Sequence, residues 1–582
     1  MPMAPSCSSI AVLVWADILA GYATWVMMTY LTNVWGLDIT RAAAIVNVFV
    51  GLQFIMPVGM AFLVDAFLGH YRMLLLSSLA CCFGMSLLAM STPPVLSRYA
   101  GNCDAYRPNC IGDTQKALFY IALALIAFGI SGHMTSLESF GNQQKELDQT
   151  PNGQVDLVRK LSGFFAVILL PIVGGIALPF INPWSVRFGI PAICTTIATF
   201  LFISGSPSYT DVEPQGSPLT TVYRVFVASA SKMFYQWDAN HQLYGNHQVS
   251  LDSVPQTPSH GNNQVSLNSV PQTPSLRCLD KAAMIVPTQT LAQQEQNRWK
   301  LCKVTEVEET KTFIRMIPMW ATFIMCGVVS SIGATYFLEQ ANNMNRKVGK
   351  LKVPLPILLI FHDITKSASA KFYVKVVKML SGKYAALIGM IAAMLFSILC
   401  CITAAKVETR RIDMIKSHGI LDKPNEKIPM SMFWLVPQYL LLGALDGISG
   451  YLLGDRDEIS GYGIACFFIG QIPASMSSFL LVCTRAVFGA GFVGSVLSVY
   501  VVGKVTERGG KPSWFQDTLN KSRLDNYYWT LAVLSSINLF LGILVAIWYN
   551  YQQSSIEEIR TPGYQESDVP YNDDAQCCCC CA

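Results

Sequence analysis

Three ionisable side chains, Asp17, His133 and Asp446, lie inside stretches that are otherwise apolar enough to sit in hydrocarbon. An ionisable group there is expensive, so it defaults to a functional hypothesis, such as a proton-handling position on a solute path. His133 adds an imidazole whose ordinary titration falls near neutral pH. For each of the three, a hydrogen-bonded interior residue is the alternative. A second set lies in residues 361–375, FHDITKSASAKFYVK. His362 and Lys366 are four apart and Asp363 and Lys366 three apart, so one helix face becomes a polar stripe. Such a stripe either lines an aqueous cavity or closes on itself as an Asp363 to Lys366 salt bridge. Ser330, Ser331, Thr335 and Tyr336, with Gln438 and Asp446, add polar groups suited to holding a small solute. No catalytic constellation, nucleotide-binding loop or metal-ligand spacing stands out. The expectation is therefore no enzyme, no cofactor and no metal.

The elements that must position these residues follow from composition. Of 582 residues, 52% are hydrophobic and only 13% charged, against roughly 25% charged in a soluble chain. A mean hydropathy of +0.39, with 30 Phe, 23 Tyr and 11 Trp, fits helices apolar on their outer faces and ringed by aromatics at the headgroups. A formal charge of +4 is too small to suggest a nucleic-acid partner. A bilayer crossing needs about 20 apolar residues, and twelve stretches qualify. They are residues 10–31, 42–64, 73–92, 116–137, 162–181 and 185–204, then 313–333, 353–373, 384–405, 431–454 with a continuation to 473, 476–503 and 527–549. The first lacks a preceding Lys or Arg and exceeds a signal-peptide core, so it reads as a retained helix. Six stretches, a long polar interval and six more predict the two-halves plan of the major facilitator fold, with a solute cavity between the halves and both termini cytoplasmic.

Charge bias supports that orientation only in part. Lys145, Arg159 and Lys160, and later Lys375, Lys378 and Lys383, occupy segments expected to be cytoplasmic, but Lys406 to Lys427, with Arg410, Arg411, Lys416 and Lys423, would face outside. Residues 206–312 form the one large polar segment, expected to be a largely disordered cytoplasmic linker, most clearly between residues 240 and 275. It contains a direct repeat, VSLDSVPQTPS from Val249 and VSLNSVPQTPS from Val265. This is either a duplicated flexible spacer or a regulatory segment, since Thr257 and Thr273 each precede Pro and offer a kinase a place to add charge. Cys103 and Cys110 share a polar loop where a disulfide fits. The chain ends in Cys577, Cys578, Cys579, Cys580 and Cys581, a run suited to reversible acylation.

Several long motifs, in order, carry a resemblance. LDKAA from Leu279, WKLCKVTEVEETK from Trp299, FIRMIPMWAT ending at Thr322, TYFLEQANNMNRK from Thr335, FWLVPQY from Phe433 and LNKSRLDNYYW from Leu519 together resemble the plant nitrate/peptide transporter family, the proton-dependent oligopeptide transporter branch of the major facilitators. FLVDAFLGHYR, Phe62 to Arg72, is similar to the gating motif between the second and third helices, with Asp65 and Gly69 its recognisable members. Asp65 would then pair with a basic group or a helix N-terminus, or simply cap the helix at the interface.

The resemblance implies a proton relay built from an ExxER motif in the first helix, a Lys in the fourth and a Glu in the tenth. Here the corresponding positions read Leu13, Val14, Trp15, Ala16 and Asp17; Met134; and Cys466 before Phe467, Phe468 and Gln471. Removing one partner of a buried ion pair costs about 3 to 5 kcal/mol, whereas losing every member leaves no orphaned charge. The bundle can therefore fold without the relay. Where the family has Tyr-Asp-Arg after the eighth helix, this chain has Tyr373, Val374 and Lys375. In the tenth stretch, ISGY at Ile448 recurs at Ile459 around LLGDRDE, an apparent insertion carrying Asp455, Arg456, Asp457 and Glu458.

The expectation is an all-α membrane protein: an N-terminal half over residues 1–205, a linker over 206–312, a C-terminal half over 313–552 and a cytoplasmic tail over 553–582. It would move a small solute (nitrate, a peptide or another small organic molecule) by alternating access, with proton coupling weakened or altered. The alternative is a non-transporting relative acting as a scaffold or regulator. Plasma and vacuolar membranes are not distinguished.

Overall fold

The computed structural model describes residues 5–93, 95, 108, 111–147, 172–181, 183–210, 216–235, 243–244, 275–286, 290–379, 382–423, 426–452 and 474–560. The expected Cys103 to Cys110 disulfide, Arg159, Lys160, Thr257, Thr273, Asp455 to Glu458, Cys466 and the terminal Cys run lie outside them. The chain forms two compact units, one of residues 1–224 and 312–543, the other of residues 225–311 and 544–582.

The first stretch is α1 (Pro5–Trp25) with its short continuation α2 (Met27–Asn33), and the second is α3 (Ile39–Leu63). A π-helical turn, Val64–Leu68, then leads into α4 (Gly69–Met90). Gly69 sits at φ 73°, a conformation that a side chain disfavours and glycine adopts freely. The chain thereby changes direction inside what would otherwise be one long apolar run. After α5 (Asp113–Leu147) the fifth stretch is described only over residues 172–181, and α6 (Trp184–Ser204) closes the half. The seventh stretch is built in pieces. α8 (Val304–Ala321), with Pro318 inside it, is followed by α9 (Phe323–Ser330), a π-helical turn Gly333–Phe337 and α10 (Leu338–Asn343); α7 (Pro218–Ser231) precedes them in the linker. Then come α11 (Ile357–Met379), α12 (Gly382–Ser417), α13 (Val436–Leu452), α14 (Ala474–Thr506) and α15 (Leu524–Arg560).

Among the described residues nine helical segments are long and apolar enough to cross a membrane. One of them, Ile39–Met90, holds both the second and the third expected stretches. The fifth is only partly described, and α11 is made too polar by its His-Asp-Lys face. The twelve-stretch reading and the described helices are thus reconciled. In the first unit α4 packs on α5 and α6, α1 on α6, α3 and α9 on α14, and α11 and α12 on α13.

The linker flanks and the segment after the ninth stretch both show local packing. The linker is ordered at both flanks: α7 is helical, and Leu279, Ala282, Ala283 and Met284 are buried. Lys232 donates to the carbonyls of Ala282 and Met284 at 3.2 and 2.6 Å, and burial pushes its ammonium down to about 8. Lys311, fully buried, bridges Asp280 at 2.5 Å and Glu308 at 2.8 Å. Composition averages over a segment and misses such a charge-stapled core. Of the cations after the ninth stretch, Arg411 is held inside the protein, while Lys406, Lys416 and Lys423 are exposed. Arg411 is buried against Glu408 at 2.7 Å, Arg410 stacks on Trp434 at 3.9 Å, and Lys427 donates to the Asn342 carbonyl.

Candidate functional site

Two glycines of α13 set up the main polar cluster. A Cβ at Gly443 would run into the carbonyl oxygen of His362, and one at Gly447 into that of Lys366. The backbones of α11 and α13 therefore approach as only small residues allow. That approach puts Asp446, between the two glycines, against His362, with Nε2 2.9 Å from Asp446 Oδ2. On the other side of the ring Nδ1 lies 2.9 Å from Asp363 Oδ1. Ser330 at the end of α9 donates to Asp446 Oδ2 at 2.9 Å, and the Tyr22 hydroxyl of α1 donates to Asp363 Oδ2 at 3.2 Å. One chain of polar contacts thus links α1 of the first half to α9, α11 and α13 of the second.

The proton count in this cluster matters. A neutral imidazole has one N–H, so it cannot donate to both carboxylates. Both contacts are hydrogen bonds only when the ring is an imidazolium or when one carboxyl carries the proton. Asp446 Oδ1 is buried with no partner among the described residues. The Asp363 side chain, by contrast, is 45% exposed. A carboxylate open to that extent inside a spanning helix must meet water rather than lipid.

The first half holds a second cluster. Asp17 Oδ2 lies 2.7 Å from His133 Nδ1, whose Nε2 is 2.9 Å from Ser78 Oγ. Asp17, at the position where the resemblance implies Arg, thus meets a His next to Met134, where the resemblance implies Lys. Leu13 and Ala16, at the two acidic positions of that pattern, pack in an apolar cluster with Leu74, Phe140, Ala198 and Phe202.

Of the expected cavity residues, Ser330, His362 and Asp446 meet one another, and Lys366 follows one turn along α11. The other expected cavity groups point elsewhere in this conformation. Ser331 and Thr335 close their hydroxyls onto backbone carbonyls one turn back, Val328 and Ser331. Tyr336 is buried beside Phe515 and Tyr527. Gln438 contacts Gln340 at 3.4 Å, which donates to Glu408 at 2.6 Å, inside the Arg411 network. Asp65 lies in the π-helical turn before Gly69, its carbonyl accepting from Gly216, and its carboxylate has no basic partner among the described residues. At the far ends of α2 and α10, Thr32 donates to Glu339 at 3.0 Å and Asn342 to Asn33 at 3.2 Å. Sequence reasoning missed Tyr22, Ser78 and Glu339 because a Tyr, a Ser and a helix-end Glu carry no signal until their partners are known.

The POT family model (PTR2) matches residues 71–515. The chain is similar to Protein NRT1/PTR FAMILY 5.5 of Arabidopsis thaliana, 42% identical over 547 residues, covering 93% of this chain and 96% of that protein. It is also similar to Protein NRT1/PTR FAMILY 8.1 of Arabidopsis thaliana, 30% identical over 521 residues, covering 87% and 86%. Among solved structures, an auto inhibited POT family peptide transporter superposes with a TM-score of 0.61 at 17% identity, covering 97% of this chain and 99% of that one. The POT family transporter PepTSo superposes with a TM-score of 0.58 at 16% identity, covering 96% and 99%. These likenesses bear out the major facilitator fold and the multi-pass membrane reading, and the chain belongs to the POT family of membrane transporters, on its NRT1/PTR side.

Proposed function

We propose that this chain moves a small solute by alternating access through the region around Tyr22, Asp363, His362, Asp446 and Ser330, with proton coupling altered from the family pattern. The carrying observation is the hydrogen-bonded path from Tyr22 to Asp363 to His362 to Asp446, which joins the two halves through a carboxylate open to water. Coupling is altered because the acidic positions of the first stretch are filled by apolar packing, Leu13 and Ala16. The groups left to respond to protons around the path are His362, flanked by Asp363 on its own helix and Asp446 on α13, with Lys366 one turn on and Tyr22 facing from α1. Two carboxylates around one imidazole favour a solute that presents N–H or ammonium groups, such as a short peptide or an amine, over nitrate.

Uptake of dipeptides, amines and nitrate by oocytes expressing the protein, between about pH 5 and about pH 8, tests this. Uptake of an N–H-bearing solute that varies by less than about threefold across that range is expected, and Asp446→Asn lowers it at least tenfold. A steep acid stimulation that survives Asp446→Asn would show coupling to run elsewhere. No uptake of any solute, in protein that reaches the membrane, would favour a scaffold or regulatory role.

A further inference from the structure

We infer that Asp17, Cys81 and His133 form a binding site for one Zn2+ ion within the first six-helix half. This goes beyond solute transport and does not depend on it. The three residues come from α1, α4 and α5, and one ligand atom from each lies within 4.8 Å of the other two. Zinc bonds of about 2.0 to 2.3 Å in a tetrahedral site put ligand atoms roughly 3 to 4 Å apart, so side-chain movements of about an ångström complete the geometry. Cys81 is a free, buried thiol. It is held near His133 because α4 and α5 meet closely: a Cβ at Gly129 would fall on the Cys81 sulfur.

The chemistry selects the ion. A thiolate with an imidazole suits zinc and discriminates against Mg2+ and Ca2+, which take oxygen ligands. Ser78, fully buried, faces His133 Nε2 at 2.9 Å. Without metal the 2.7 Å contact of His133 Nδ1 with Asp17 Oδ2 needs a proton between the two atoms. When zinc takes that place the ring proton moves to Nε2 and is donated to Ser78, the kind of outer support that orients a metal-bound imidazole. On binding, the Cys81 S–H bond breaks, its proton leaves to water and the S–Zn bond forms without any change of oxidation state. Zn2+ with one thiolate, one carboxylate and a neutral imidazole then sums to zero charge, the least costly outcome in a bilayer interior. The Asp17 side chain is 24% exposed while that of His133 is 3% exposed, so the ion enters from the Asp17 side, where a fourth, open position remains.

The test uses the full chain, purified in detergent, with the competing thiols of the terminal run removed by Cys577→Ser, Cys578→Ser, Cys579→Ser, Cys580→Ser and Cys581→Ser. Co2+ is the spectroscopic probe and Zn2+ the competitor. Expected are thiolate-to-cobalt charge-transfer absorption saturating at one ion per chain, its displacement by Zn2+, and insensitivity to excess Mg2+. Cys81→Ser abolishes the band, and Asp17→Asn and His133→Gln each weaken Zn2+ binding at least tenfold. Monodispersity and the unfolding midpoint without metal check that each variant is folded, and the two conservative variants carry the test if Cys81→Ser is not. Absence of the band in the parent overturns the site. So does a band that survives Cys81→Ser, or zinc affinity unchanged in both Asp17→Asn and His133→Gln.

Discussion

His362 is the residue on which the central cluster turns. Its two nitrogens face carboxylates on two helices, so its removal leaves Asp363 and Asp446 without their common partner. Deleting one member of such a buried group costs about 3 to 5 kcal/mol, whereas replacing the partners together by apolar residues is often close to neutral. His362→Leu should therefore lower the unfolding midpoint clearly, and His362→Leu combined with Asp446→Leu should recover most of that loss while leaving transport abolished. Equal stability of parent and single variant, measured by thermal unfolding in detergent, would show that the pairing contributes nothing. His362 and Asp446 were visible in the sequence because ionisable groups are rare in apolar stretches. Tyr22 was not, since one Tyr among 23 differs from the rest only in facing Asp363.

At the scale of elements, the approach of α11 to α13 is what makes the cluster. Gly447→Ala would place a methyl group on the Lys366 carbonyl, and relief requires the helices to part. A destabilisation of about 1 to 3 kcal/mol is expected from such overpacking, together with reduced uptake, although no charged or polar group is altered. A variant with the parent's midpoint and uptake would mean that the two helices have slack at this crossing. Hydropathy located the helices, but their ends and joins were set by contacts. α12 continues to Ser417 because Glu408 and Arg411 satisfy one another at full burial and Arg411 also donates to the Leu519 carbonyl. The linker flanks fold for a similar reason, around Lys311 with Asp280 and Glu308. A composition average registers these residues as polar and cannot register that they are paired.

For the first unit as a whole, Thr32 with Glu339 and Asn33 with Asn342 tie the ends of α2 and α10 together. Alternating access requires contacts between the halves to open and close. Oxidative cross-linking of a Thr32→Cys, Glu339→Cys variant should then stop uptake and reduction should restore it, with the parent unaffected by either treatment. A cross-linked protein that still transports would show that these ends stay together through the cycle. The sequence by itself determined the solvent, the order of the apolar stretches and the family, because each depends on residue type and order along the chain. Only the tertiary structure decided which polar groups meet. Asp17 and His133 are 116 positions apart, and Tyr22 and Asp363 are 341 apart. Pairings over such separations are set by helix packing and small-residue crossings, and no local pattern encodes them.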